Sequence, residues 1–158
     1  MEIPSPFDGL HLDRELICDF FAAFSRFEFA LKESGFARNH RGSIEPTWRG
    51  YASEAAKLLT VERGSSLDEA INYLCNDPPL FQVGAKQWEQ RTLQGDSKLE
   101  QAIDAAKQVR NNLFHGGKHT PHSPPGRDNQ LVKSSLVVLY ACLVADDKLR
   151  DAYIQNQF

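Results

Sequence analysis

The run Val109 to Gly117 reads VRNNLFHGG, and it sets Arg110 and His115 apart by four residues just before two glycines. A guanidinium holds phosphate through a rigid two-pronged fork, and an imidazole gives or takes a proton near neutral pH. Those two roles are the minimum for cutting RNA with its own 2′-hydroxyl. A base activates the nucleophile, and a cation stabilises charge on the phosphorane-like transition state. Such a reaction requires neither a metal nor a cofactor. Asn111 adds an amide able to orient the histidine or to meet a phosphate oxygen. One chain supplies one such edge, so the full set is easier to assemble where two copies meet.

Both side chains also have plainer roles open to them. Arg110 can be held by a carboxylate inside the chain, and His115 can be a helix-terminal residue favoured by the dipole and bonded to a carbonyl. The choice depends on the elements that carry them.

Those elements read as helices. Leu12 to Glu33 repeats Leu12, Leu16, Phe20, Phe24, Phe27 and Leu31 at three- and four-residue steps, with Asp8 or Asp13 near its start and Ser34-Gly35 as a stop. A second helix is predicted over Thr47 to Leu59 and a third over Ser66 to Cys75, which Asp77-Pro78-Pro79 must end. Pro79 to Gln94 is ambiguous and reads as a long connection with a short helix. The fourth main helix runs from Lys98 to about His115, with Asp96 or Ser97 as its cap, Glu100 as a capping-box partner, and Gly116-Gly117 as its stop. Lys118 to Asn129, with Pro121, Pro124, Pro125 and Gly126, reads as a stiff loop. A last helix, about Asn129 to Ala152, is apolar around much of its circumference, which suggests a central position or a second, intermolecular contact. With no competing strand pattern, the expected fold is an all-helical bundle of four principal helices.

At roughly 100° per residue, Leu99, Ala102, Ile103, Ala106, Val109, Leu113 and Phe114 fall in one broad sector that also contains Arg110. Asn111 and His115 lie on its flank, and Asn112 points to the back. A cation on a packing side needs an anion, exposure at a seam, or both. Glu28 falls within the apolar sector of the first helix and is the inexpensive partner.

With 158 residues, 41% of them hydrophobic and 25% charged, the chain has the composition of one folded domain spanning 1–158. Leu136 to Ala145, the longest nearly apolar stretch, is about half of what a bilayer requires, and the N-terminus lacks a basic-then-apolar signal, so a cytoplasmic location without a membrane is expected. Cys18, Cys75 and Cys142 lie far apart with no CxxC pair, and each reads as a small hydrophobe. A formal charge of -3 supplies no general attraction to nucleic acid. Arg38, His40, Arg41 and Arg49 form a local basic candidate that reads as a solvated loop. His119 and His122 lack the context of a zinc pair, although Lys118 and His119 can reach a phosphate at the mouth of a cleft. Trp48 and Trp88 can stack on a base but read as core or loop packing. Asp146-Asp147 reads as a solvated helix end.

Arg110-Asn111-Asn112-Leu113-Phe114-His115 resembles the arginine, polar residue, histidine motif of the HEPN superfamily, and SRFEFALKESGF, Ser25 to Phe36, is similar to the first helix of a bacterial, often plasmid-borne subgroup. The resemblance covers nearly the entire chain. It implies an all-α, up-and-down bundle of four principal helices plus short accessory helices. It also implies a homodimeric, metal-independent endoribonuclease with RNA as substrate, serving as the toxin or effector of a toxin–antitoxin or antiphage system beside an antitoxin or other partner protein. Arg110 would then sit at the scissile phosphate, His115 would be general base or acid, and Asn111 the accompanying polar residue. The alternative is a catalytically inactive interaction or structural module.

Overall fold

Phenylalanines 20, 24 and 27 and Leu31 repeat on one side of the first helix, and the computed structural model, which describes residues 1–115 and 123–155, buries all four in the core. This helix, α1, covers Arg14–Glu33. It ends where Gly35 takes a left-handed φ of 94° and the Phe36 N–H donates back to the Leu31 carbonyl, the closure a glycine makes easy. The remaining elements are β1 (Ala37–His40), β2 (Ser43–Pro46), α2 (Trp48–Leu58), α3 (Ser66–Asn76), β3 (Phe81–Gly84), β4 (Gln87–Glu89), α4 (Lys98–Phe114), α5 (Arg127–Ala145) and α6 (Asp147–Ile154).

Helix α4 is central because its buried side is small. Ala102, Ala105 and Ala106 are fully buried and let α2, α3 and α5 approach it closely. Its start carries the expected capping box: the Glu100 N–H donates to Ser97 Oγ at 3.3 Å, and Glu100 Oε2 accepts from the Ser97 N–H at 2.7 Å. Helix α1 packs instead on α5 and α6. Between α1 and α4 the backbones stand farther apart, and long side chains bridge the space. That spacing creates the depression described below.

The all-helical expectation is corrected by two antiparallel hairpins. Strands β1 and β2 pair with Arg38 opposite Glu45, across a two-residue turn in which Arg41 and Gly42 have φ of 51° and 82°. Two positive φ values mark the turn whose twist suits a two-residue hairpin, and Asn39 Oδ1 braces it by accepting from the Gly42 N–H at 3.1 Å. The Arg38, His40 and Arg41 group therefore sits on a hairpin, not a loop, and Arg38 pairs with Glu45 at 3.3 Å. Strands β3 and β4 pair with a bulge between Gln82 and Gly84, replacing the predicted long connection with a short helix. The resemblance to the HEPN superfamily is corrected by the same finding, because the chain is a mostly helical domain with two small sheets and not the purely helical one that the resemblance implies.

The last predicted helix is likewise two. Asp146 leaves helical geometry at φ -115°, ψ 99°, and its side chain accepts from the Leu149 N–H at 3.0 Å, capping α6. Asp146 is thus a cap, not a solvated end, while Asp147 pairs with Arg150 at 2.6 Å. No described helix is long and apolar enough to cross a membrane.

Cys142 of α5 is wholly buried, and burial pushes its thiol up to about 12, whereas Cys18 is exposed. Iodoacetamide at pH 8 is expected to modify Cys18 in the native protein and to spare Cys142 until urea unfolds the chain. Peptide mass spectrometry would read this, and equal rates at the two thiols would contradict the packing. The neutral buried thiol contributes stability that is present below the ordinary thiol range and is lost as pH rises through about 12.

Candidate functional site

Phe21, Phe24, Ser25 and Glu28 recur at three- and four-residue steps on α1 and so share a face. Arg110 and Phe114, four apart on α4, face them. Together these six line an open depression of about 240 Å³.

Arg110 is anchored at its floor. Its Nη2 donates to Glu28 Oε1 at 2.7 Å, and the same oxygen accepts from Trp48 Nε1 at 3.0 Å. The guanidinium carbon stands 4.9 Å from the centre of the Phe24 ring, a cation–π contact. Phe24 stacks on Trp48 at 5.0 Å, and Trp48 lies nearly parallel to Phe27 at 5.4 Å, so the indole that holds Glu28 is itself clamped by two rings. The side chains of Arg110 and Glu28 are 24% and 26% exposed, which places the pair between a screened surface bridge and a desolvated one. Among the described residues Arg110 makes no other hydrogen bond, which leaves donors not engaged by Glu28.

His115 does not line this depression. It caps α4 at φ -87°, ψ 11°, where its backbone N–H donates to the Asn111 carbonyl at 3.0 Å. Its ring is exposed and makes no hydrogen bond among the described residues, so the carbonyl-bonded role is not what holds it. The Phe114 ring stands between the two features. It meets Phe21 edge-on at 6.3 Å on one side and His115 at 5.6 Å on the other. Placed by helical angle in the packing sector, Phe114 is instead 67% exposed, while its neighbour Leu113 packs against the core.

Asn111 is half-buried and has no side-chain hydrogen bond among the described residues. Asn112, assigned from the sequence to the back of the helix, is buried there. Its Nδ2 donates to the Leu80 carbonyl at 2.8 Å, and its Oδ1 accepts from Gln108 Nε2 at 2.7 Å. The segment leading into β3 covers the back of α4 and uses these amides as its clasp. Asn112→Ala is expected to lower stability by about 1–3 kcal/mol, the cost of stranding buried polar groups. An unchanged urea midpoint would contradict that role.

Sequence reading missed Trp48 as the second donor to Glu28, and it missed Phe21 and Ser25 as walls. The available signal was that Phe21 lies one position beyond the buried stripe of α1. Trp88 is half-buried beside a separate cavity of about 310 Å³, where Arg127 is held by Asp77 Oδ2 at 2.5 Å. Lys118, His119 and His122 lie outside the described residues. Among the described residues no three His, Cys, Asp or Glu side chains are grouped to hold a metal ion. No protein-family model, curated protein or solved structure matches this chain.

Proposed function

We propose that the chain is a metal-independent endoribonuclease that works as a homodimer, with Arg110 and His115 as its catalytic residues. The single observation that carries this reading is a guanidinium pinned in an open depression while the residue that ends the same helix, His115, has an exposed imidazole with no hydrogen bond among the described residues. His115 takes the proton of a ribose 2′-hydroxyl, and the 2′-oxygen attacks phosphorus. The bond from phosphorus to the 5′-oxygen breaks, and that oxygen takes up a proton. Arg110 stabilises the charge that builds on the non-bridging oxygens. The products are a 2′,3′-cyclic phosphate and a 5′-hydroxyl.

Attacking and leaving oxygens lie on opposite sides of phosphorus in an in-line displacement. One imidazole cannot serve both at once, so a second copy supplies the acid. In this reading Asn111, half-buried and without a hydrogen-bond partner among the described residues, orients the imidazole or meets the phosphate.

A second reading, a non-catalytic interaction module, is favoured by one feature: Glu28 already neutralises Arg110. The two readings separate when purified wild type, Arg110→Ala and His115→Ala are incubated with mixed single-stranded RNAs in excess EDTA. Cleavage by the wild type that both substitutions abolish supports the enzyme. No wild-type cleavage, or cleavage undiminished in both variants, rejects it, and destabilisation by Arg110→Ala without turnover then supports the module.

A further inference from the structure

The depression beside Arg110 offers more than a cation. Phe21, Phe24 and Phe114 bring aromatic rings to its lining, and Ser25, Glu28 and Arg110 bring polar atoms. Arg110 and Trp48 both engage Oε1 of Glu28, and among the described residues Oε2 accepts no hydrogen bond. An occupant must therefore combine a flat apolar face with an edge that both donates and accepts. An aliphatic side chain would cover the rings but strand the polar atoms, at a desolvation cost. An isolated phosphate would leave the three rings of the lining uncovered.

An unpaired nucleobase meets both demands, since each base has a π-face and an edge of mixed donors and acceptors. The size agrees. About 240 Å³ is below the usual range for a drug-sized ligand, so it suits one planar group and not a folded chain segment. We infer that Phe21, Phe114, Ser25 and the Glu28–Arg110 pair form a nucleobase-binding subsite that selects single-stranded over duplex RNA. A paired base has its edge occupied and its faces stacked, so it cannot enter. The inference rests on the ribonuclease reading for its natural substrate, with the base adjoining the scissile phosphate held against exposed Phe114, next to His115.

The test uses binding without turnover. A fluorescein-labelled, fully 2′-O-methylated single-stranded hexanucleotide lacks the attacking hydroxyl, and its affinity for the full chain is measured by anisotropy beside that of the same strand in duplex. Wild type is expected to favour the single strand. Phe114→Ala is expected to weaken that binding about ten- to a hundredfold, and Phe114→Trp, which keeps a stacking surface, to restore it. Because Phe114 is largely exposed, both variants should fold, and circular dichroism checks this. Absent wild-type binding, equal affinity in Phe114→Ala, or equal affinity for the duplex would overturn the subsite. So would loss of self-association in Phe114→Ala with oligonucleotide binding intact, which would make the face a protein contact. If the wild type binds with this dependence on Phe114 yet cleaves no RNA, the subsite stands and the ribonuclease reading falls. If it cleaves and Phe114→Ala leaves binding unchanged, the reverse holds.

Discussion

Arg110→Ala is expected to lower RNA cleavage by about 10²–10³-fold, the usual cost of removing one preorganised charge donor from a transition state. The same change should destabilise the fold. Glu28 would keep the Trp48 N–H but lose its cation, and the Phe24 ring would lose the guanidinium beside it. Because the pair is about a quarter exposed, the loss should fall between that of a surface bridge and that of a buried one, about 1–3 kcal/mol. Arg110→Lys separates the two effects. It keeps the charge near Glu28 and so recovers part of the stability, but a lysine lacks the fork, and cleavage should stay low. Urea unfolding and initial rates on one RNA report both quantities. Full activity in Arg110→Lys would mean that only charge, not geometry, matters at this position.

His115→Ala should behave differently. Removing a general acid or base is expected to slow cleavage about 10²–10⁴-fold. Stability should stay within about 0.5 kcal/mol, because the ring is exposed and forms no hydrogen bond among the described residues. Loss of activity without loss of stability is the pattern that distinguishes a chemical role from a structural one. If His115→Ala unfolds at markedly lower urea, the imidazole is a helix-capping element and its chemical role is withdrawn.

The contrast between the two variants follows from features partly legible in the sequence. Placing Arg110 and Glu28 on packing faces by helical angle was enough to pair them, because both helices are long and their apolar stripes unambiguous. Trp48 was not legible as the second donor to Glu28, since nothing local tells an indole which carboxylate it will meet. The hairpins escaped for another reason. Strands of three or four residues are too short for a period of two to stand out: Ala37–His40 shows none, and Gln87–Glu89 alternates over only three positions. Only the Arg41-Gly42 pair hinted at a turn. The break at Asp146 was hidden because buried Leu143 and Leu149 continue an apolar pattern across it. Phe114 was misplaced because helical angle gives direction but not whether a neighbour extends far enough to cover it. That error matters most, since the exposed ring joins the depression to His115.

The account stands on RNA being cut by its own 2′-hydroxyl. Mass spectrometry of the fragments made by the wild-type protein in excess EDTA examines that step directly. The expected result is a 2′,3′-cyclic phosphate on one fragment and a 5′-hydroxyl on the other, with a 2′-O-methyl strand left whole. Fragments ending in a 3′-hydroxyl and a 5′-phosphate, or RNA that remains intact, would contradict it.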